Sequence, residues 1–239
     1  MAKLLLLETA TDVCSVAVSV DGQLRALTEE LEANRHASVL TLLIEQSCRD
    51  ASVRLSDLDA VAVSRGPGSY TSLRVGASTA KGLAYALNIP FIAVDTLQAL
   101  ALASAHKHPF PDQAPYGMLP MIDARRMEVW TALFDQSGRQ LLPTQPLIFE
   151  NNLFCEFEEQ VREYFTGNRL ILSGNGVYKT GSASFFEPSV MLPALRCSAA
   201  HFVAIAEQKY QNIDYENIIQ FEPFYMKAPN ITESTKKHY

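Results

Sequence analysis

The segment best placed to do chemistry is Arg65-Gly66-Pro67-Gly68-Ser69, which ends a short apolar run, Val61–Ser64, and leads into a helical stretch, Leu73–Leu87. Glycines at a strand-to-helix turn let backbone N–H groups approach a phosphate closely. Asp95 closes the next apolar run, Phe91–Val94, so the whole has the outline of a dinucleotide fingerprint. Two features argue against that reading: the third small position is Thr71, and the unit does not open the chain. A P-loop needs a lysine after its glycines to reach the phosphates, and none stands there. Ser69 and Ser72 have no histidine near them in sequence, and no His-Glu-x-x-His occurs, so neither a serine nucleophile nor a metallopeptidase site is legible. Of the histidines His36, His106, His108, His201 and His238, only His106-x-His108 forms a close pair, in a proline-bounded stretch that reads as solvent-exposed.

The elements that must position these turns follow from periodicity. Gly76, Ala77, Ser78, Ala80, Gly82 and Ala84 make Leu73–Leu87 a helix of small side chains, at about 1 kcal/mol for each glycine relative to alanine. A helix that carries this cost packs close against another backbone. His36–Ala51 is amphipathic, with Val39, Leu40, Leu43, Ile44 and Cys48 at helical spacing. Two segments look like versions of one another. The first runs Leu4–Leu7, Cys14–Val20, the turn Asp21-Gly22 and a third run through Leu31; the second runs Met118–Ile122, Met127–Phe134, Gln136-Ser137-Gly138 and Gln140 to Phe149. Each first strand ends in an acidic residue, Glu8 or Asp123, at a tight loop. The spacing predicts a duplicated β-meander, one copy per lobe, although two unrelated hairpins would leave a similar trace.

Further elements are expected at Leu153–Phe165 (helix), Leu170–Ser173 (strand), Gly174-Asn175-Gly176 (loop), Ala199–Gln211 (helix capped by Ser198) and Phe221–Met226 (closing strand). Ser104–Pro115, with three prolines, reads as the connector between lobes. The division that follows is residues 1–103, residues 104–227 with the helix near 199–211 packing back on the first lobe, and a flexible tail, 228–239. With 239 residues, 48% hydrophobic and 19% charged, the chain has the composition of an ordinary soluble globular protein. A net charge of −6 argues against tight nucleic-acid binding by this chain alone, which rests on Lys and Arg. Cys14, Cys48, Cys155 and Cys197 lie far apart with no Cys-x-x-Cys, as fits a reduced cytoplasm. The apolar run Leu4–Leu7 is too short for a signal peptide, and no stretch approaches a membrane span. A cytoplasmic location is expected.

Strand, acidic loop, strand, turn and strand, appearing twice with helices between, resembles the plan of the actin, Hsp70 and sugar-kinase superfamily. Within it, Gly66-Pro67-Gly68-Ser69-Tyr70-Thr71-Ser72-Leu73-Arg74-Val75-Gly76, followed by Ala80-Lys81-Gly82-Leu83-Ala84, resembles the signature of the TsaB (YeaZ) family. Glu8-Thr9, Cys14-Ser15-Val16-Ala17, Asp123-Ala124-Arg125 with Glu128-Val129, Gly174-Asn175-Gly176 and Pro223-Phe224-Tyr225-Met226-Lys227 also fit. Ser72 departs from a usual glycine, and Met226-Lys227 from a usual Leu-Arg.

The resemblance implies a two-lobed α/β protein of the actin-like ATPase (ASKHA, ribonuclease H-like) fold. It implies a non-catalytic scaffold for the machinery that makes threonylcarbamoyladenosine at position 37 of tRNA. The partners it implies are a catalytic TsaD-like paralogue and a small TsaE-like P-loop ATPase, with tRNA met only through the complex. That paralogue holds a metal with a His-x-x-x-His pair; the corresponding places here are Thr96 and Leu100, so no metal is expected. In the family the two helices meet the equivalent pair of the paralogue, or of a second copy in a homodimer. The outward faces expected to do this carry His36, Val39 and Leu43 on one helix and Arg74, Ser78 and Tyr85 on the other. No catalytic residue and no cofactor are expected. The superfamily's interlobe nucleotide leaves Glu8, Thr9, Thr11, Gly66, Gly68, Ser69, Gly174 and Gly176 as candidate contacts at a lobe or subunit junction. The alternative is a free-standing ATP-binding kinase or ATPase of the same fold.

Overall fold

A computed structural model describes residues 2–110, 114–149, 152–165, 169–180 and 189–226. Strand β1 (Lys3–Glu8) lies in the middle of the first sheet, antiparallel to β2 (Cys14–Val20) and parallel to β4 (Ala60–Gly66). Adding β3 (Gln23–Glu30) and β5 (Phe91–Asp95) gives the order β3-β2-β1-β4-β5. The unbroken leucine run of β1 is explained by burial on both faces. Leu5 and Leu7 pack under α1 (His36–Asp50) and α2 (Tyr70–Leu87), while Leu4 and Leu6 meet Ala199, Phe202, Ile205 and Ala206 on the opposite side.

The second sheet repeats the plan. Strands β6 (Gly117–Asp123), β7 (Glu128–Asp135), β8 (Gln140–Ile148), β9 (Leu170–Ser173) and β10 (Val190–Leu192) are ordered β10-β9-β6-β7-β8. Read from β8, this is the first sheet's order with β6 in the place of β1 and β9 in the place of β4. Two copies of one meander therefore build the two lobes. Helix α4 (Asn152–Tyr164) covers one face through Phe157 and Val161. The other face is covered by α3 (Thr96–Lys107), whose Leu97, Leu100 and Ala101 share a core with Met118, Ile122, Trp130 and Phe134. Gln98 Nε2 donates to Gly138 O at 3.0 Å, adding a polar tie between the lobes.

Three expectations are corrected. The connector begins later than Ser104, because α3 continues to Lys107; Ser104 is buried and its Oγ donates to Ala101 O. The helix near the end divides into a 3-10 turn, Ala199–Phe202, and α5 (Val203–Gln211), both on the first sheet. Phe221–Met226 is not a strand. Pro223 has no N–H to give a ladder, and the segment is held at isolated points: Lys81 Nζ donates to Phe221 O and Phe224 N to Arg65 O, both at 2.6 Å. The expected tail, 228–239, lies outside the described residues.

Candidate functional site

Across the two lobes runs a cleft of about 690 Å³. Its first-lobe wall is the turn after β1, Ala10-Thr11-Asp12, with the starts of α1 and α2; its second-lobe wall is Asp123-Ala124-Arg125 and Asn175. The first wall is built by close approach. A side chain on Gly68 would strike the Ala10 carbonyl, and one on Gly76 would strike Thr9 Oγ1, so both positions need glycine. The small-residue face of α2 thus lies hard against the turn after β1. Ser69 N donates to Ala10 O at 2.7 Å, and Ser69 Oγ caps α2 by accepting from Ser72 N. Thr9 N donates to Ser64 Oγ at 3.0 Å, which ties β1 to β4 beneath the loop.

Glu8 sits under this turn, 1% exposed, with Oε1 accepting from Ala10 N at 2.5 Å. Burial raises its pKa to about 7, against the opposing pull of the Ala10 N–H. Asp95 caps α3 by accepting from Gln98 N at 2.9 Å; burial raises this carboxyl too, and Arg65 opposes it. The thiols nearby are poor nucleophiles: burial pushes Cys14 up to about 12 and Cys197 well above its ordinary value.

The second wall mirrors the first. Gly174, at φ +98°, and Gly176 pack against the Met121 carbonyl as Gly68 packs against Ala10. Asp123 Oδ1 accepts from Arg125 N and from Lys179 Nζ, both at 2.6 Å, and Asp123 N donates to Asn175 Oδ1 at 2.9 Å. Arg125 and Arg126 both hold positive φ, at 69° and 50°, and Arg125 lines the cleft.

Of the candidate nucleotide contacts, Thr11, Gly68 and Ser69 line the cleft. Glu8 and Thr9 lie buried behind the turn, and Gly66, Gly174 and Gly176 are taken up by backbone packing. Asn175, from the loop Gly174-Asn175-Gly176 expected near a nucleotide, lines it too, and Arg125 and Tyr70 line it without having been expected as nucleotide contacts. The polar residue flanked by two glycines was the available signal for Asn175.

The helix faces need correction. His36 is 4% exposed, with Nε2 donating to Val13 O at 3.2 Å at the cleft edge, and Val39 is 6% exposed in the first core. Leu43 is half-buried against the same core. These three cannot form the outward surface of α1, because its sheet-facing stripe already runs through Val39, Leu40, Ile44, Ser47 and Cys48. The outward apolar residue is Leu42, at 61% exposure. On α2, Arg74, Ser78 and Tyr85 do point outward; Tyr85 is 81% exposed, and a Cβ on Gly82 would meet open space. Arg74 lies over the Tyr70 ring at 5.1 Å, and that ring packs at a tilt of 44° against Tyr225, centroids 4.6 Å apart.

Thr96 begins α3 and is buried; Leu100 is buried one turn on, beside Gly174. Among the described residues no three His, Cys, Asp or Glu side chains gather as metal ligands, and no helix is long and apolar enough to cross a membrane.

Two lobes of one repeated strand order, with acidic turns meeting across a cleft, define the actin-like ATPase fold. The activator of 2-hydroxyisocaproyl-CoA dehydratase from Clostridium difficile, solved with bound ADPNP, is similar at a TM-score of 0.50 and 9% identity, over 90% of this chain and 99% of that one. YeaZ from Pseudomonas aeruginosa is similar at a TM-score of 0.76 and 26% identity, over 94% of this chain and all of that one. The tRNA threonylcarbamoyladenosine biosynthesis protein TsaB of Haemophilus influenzae is 28% identical over 94% of this chain and 93% of its own length. Its namesake in Escherichia coli is 34% identical over 57% of each. The family model described as TsaD, tRNA N6-adenosine threonylcarbamoyltransferase, matches residues 29–233, and the chain belongs to this family, in its TsaB (YeaZ) branch.

Proposed function

We propose that this chain is a non-catalytic scaffold and activator of the machinery that installs threonylcarbamoyl on N6 of adenosine 37 of tRNA, acting by binding and stabilising a TsaD-like catalytic paralogue. Kinship with TsaB proteins supports a role in that biosynthesis. The observation that carries the finer reading is on α3. Where the resemblance gives the paralogue its metal-binding histidines, this chain has Thr96 and Leu100, and Leu100 is packed into the core that joins the lobes. A leucine side chain has no lone pair to give a metal.

Docking falls to the outward faces of α1 and α2. Leu42 and Tyr85 supply exposed apolar surface, and Ser78 and Gly82 admit a close helix. Alone, the chain pairs with a second copy through the same face. A TsaE-like P-loop ATPase completes the set, tRNA reaches this chain only through the complex, and the assembly works in the cytoplasm. A nucleotide has a place in the cleft beside Thr11, Ser69 and Arg125, without turnover by this chain.

Reconstituted tRNA modification with the purified paralogue and the P-loop ATPase tests the reading. Modification is expected to require this chain and to survive Glu8→Gln. A large loss with Glu8→Gln while the complex still assembles would contradict it, as would ATP turnover by this chain alone, which favours the free-standing kinase or ATPase.

A further inference from the structure

Each wall of the cleft is a turn, and the backbone N–H groups of a turn can cradle phosphate. In this chain those groups are already engaged. On the first wall Ala10 N donates to Glu8 Oε1 and Ser69 N to Ala10 O. On the second, Ala124 N donates to Glu128 O and Arg125 N to Asp123 Oδ1. Ser72 N, at the start of α2, goes to the Ser69 cap. Phosphate in this cleft must therefore be held by side chains.

Charge sets how much phosphate they can hold. Among the described lining residues the cleft has no lysine and one arginine, Arg125, whose guanidinium makes no hydrogen bond or ion pair. Lys179 stands nearby but is bound to Asp123 at 2.6 Å, and burial lowers the pKa of His36, which leaves its ring neutral. A second cavity of about 330 Å³ shares Thr11, Asp12 and Asn175 with the cleft and adds Arg196, also unpaired. Asp12, common to both cavities and equally unpaired, offsets one of these cations. With the positive end of α2, the surplus is about one to two positive charges. A phosphate monoester carries about −1.5 to −2 near pH 7, which matches. A diphosphate or triphosphate brings further charge that meets neither a cation nor a free turn N–H. At the adjoining cavity the ring of Tyr178 and the amide of Asn175 offer a nucleobase apolar contact and hydrogen bonds.

We propose that the cleft takes a nucleoside monophosphate, its phosphate on the Arg125 guanidinium, in preference to the diphosphate or triphosphate. The inference rests on the reading of the cleft as a nucleotide site. It accords with a chain that turns nothing over, since a monoester has no phosphoanhydride bond to break.

Titration calorimetry on the full chain, in EDTA and at low salt, tests this with adenosine, AMP, ADP and ATP, and with their guanine and pyrimidine counterparts. The monophosphate is expected to bind about tenfold or more tighter than both its triphosphate and its nucleoside. Arg125→Gln should bring the monophosphate down to the nucleoside. Asp12→Asn, which removes the free carboxylate, should narrow the gap, the triphosphate gaining more than the monophosphate. Both side chains are exposed, so both variants should keep the fold, as circular dichroism would show. A triphosphate or a nucleoside that binds as tightly as the monophosphate overturns the inference while leaving a nucleotide site in place. So does a preference unmoved by Arg125→Gln. Binding of no member of any series overturns the nucleotide site itself and the inference with it.

Discussion

Glu8 is the residue whose chemistry can be read most directly from solution behaviour. Its carboxyl titrates near 7 in the folded chain and near 4.5 when unfolded, so between those values the folded state holds a proton that the unfolded state has released. The contribution of Glu8 to stability is therefore full below about pH 4.5 and is lost as pH rises through about 7. At about 1.4 kcal/mol per pKa unit, the loss is on the order of 3 kcal/mol. Glu8→Gln should flatten this part of the profile, gaining on the wild type as pH rises from 5 to 8 in denaturant titrations; parallel curves for the two would show the carboxyl to be ordinary. Two glycines make an opposed pair at the same scale. Gly68→Ala should destabilise by about 1–3 kcal/mol, because its Cβ would enter the Ala10 carbonyl. Gly82→Ala, with open space around it, should stabilise the isolated chain by about 0.5–1 kcal/mol. Equal melting shifts for the two would mean that the α2 contact with the turn is misdrawn. The sequence showed that these glycines bring backbones together. It could not show which backbone, since Ala10 and Gly68 meet only through the pairing of β1 with β4.

Elements were legible where one periodicity dominated. The duplicated meander, α1, α2 and the β5 strand were read close to their observed limits, because apolar runs bounded by Asp-Gly, Gly-Pro or Asn-Ile-Pro leave little choice of register. The phase of α1 was misread for a definite reason. Val39, Leu40, Leu43 and Ile44 are all apolar, so the stripe is wide enough to fit two orientations, and only Ser47 and Cys48 against β2 and β3 fix the one that occurs. Ser47 Oγ donates to Thr28 Oγ1 at 2.9 Å. The strand expected at Phe221–Met226 failed because its contacts are to single atoms at the end of β4 and on α2, which a local pattern does not record. One element carries visible strain. Ile213, after the end of α5, has φ +57° and is 74% exposed, while Asp214 N donates to Lys209 O as in a glycine-ended helix. A β-branched residue is poorly suited to that conformation, so Ile213→Gly should stabilise by about 1 kcal/mol, read as a higher denaturant midpoint at constant slope. An unchanged or lower midpoint would place the strain elsewhere.

At the scale of the whole molecule, the lobes are joined by an apolar core around α3, and the cleft above it is lined by turns that the repeat supplies twice. The overall plan was legible because a repeat announces itself in sequence; the cleft was legible only in part, since its second wall depends on Asn175 and Arg125 meeting through the β6 and β9 turns. The outward face of α1 and α2 can be changed without touching that core. Leu42→Arg should leave the unfolding free energy within about 0.5 kcal/mol of wild type, as an exposed substitution, while weakening association; Leu43→Arg should unfold the chain, since Leu43 packs on the core. If Leu42→Arg unfolds the chain and Leu43→Arg does not, the orientation of α1 is wrong. The central claim is met most directly by sedimentation velocity on a mixture of this chain with a purified TsaD-like paralogue from the same cell. The account predicts a complex with the wild type that is lost with Ser78→Trp, each variant remaining folded by circular dichroism. A paralogue that sediments alone beside the wild-type chain, or that binds Ser78→Trp as well as wild type, would contradict it.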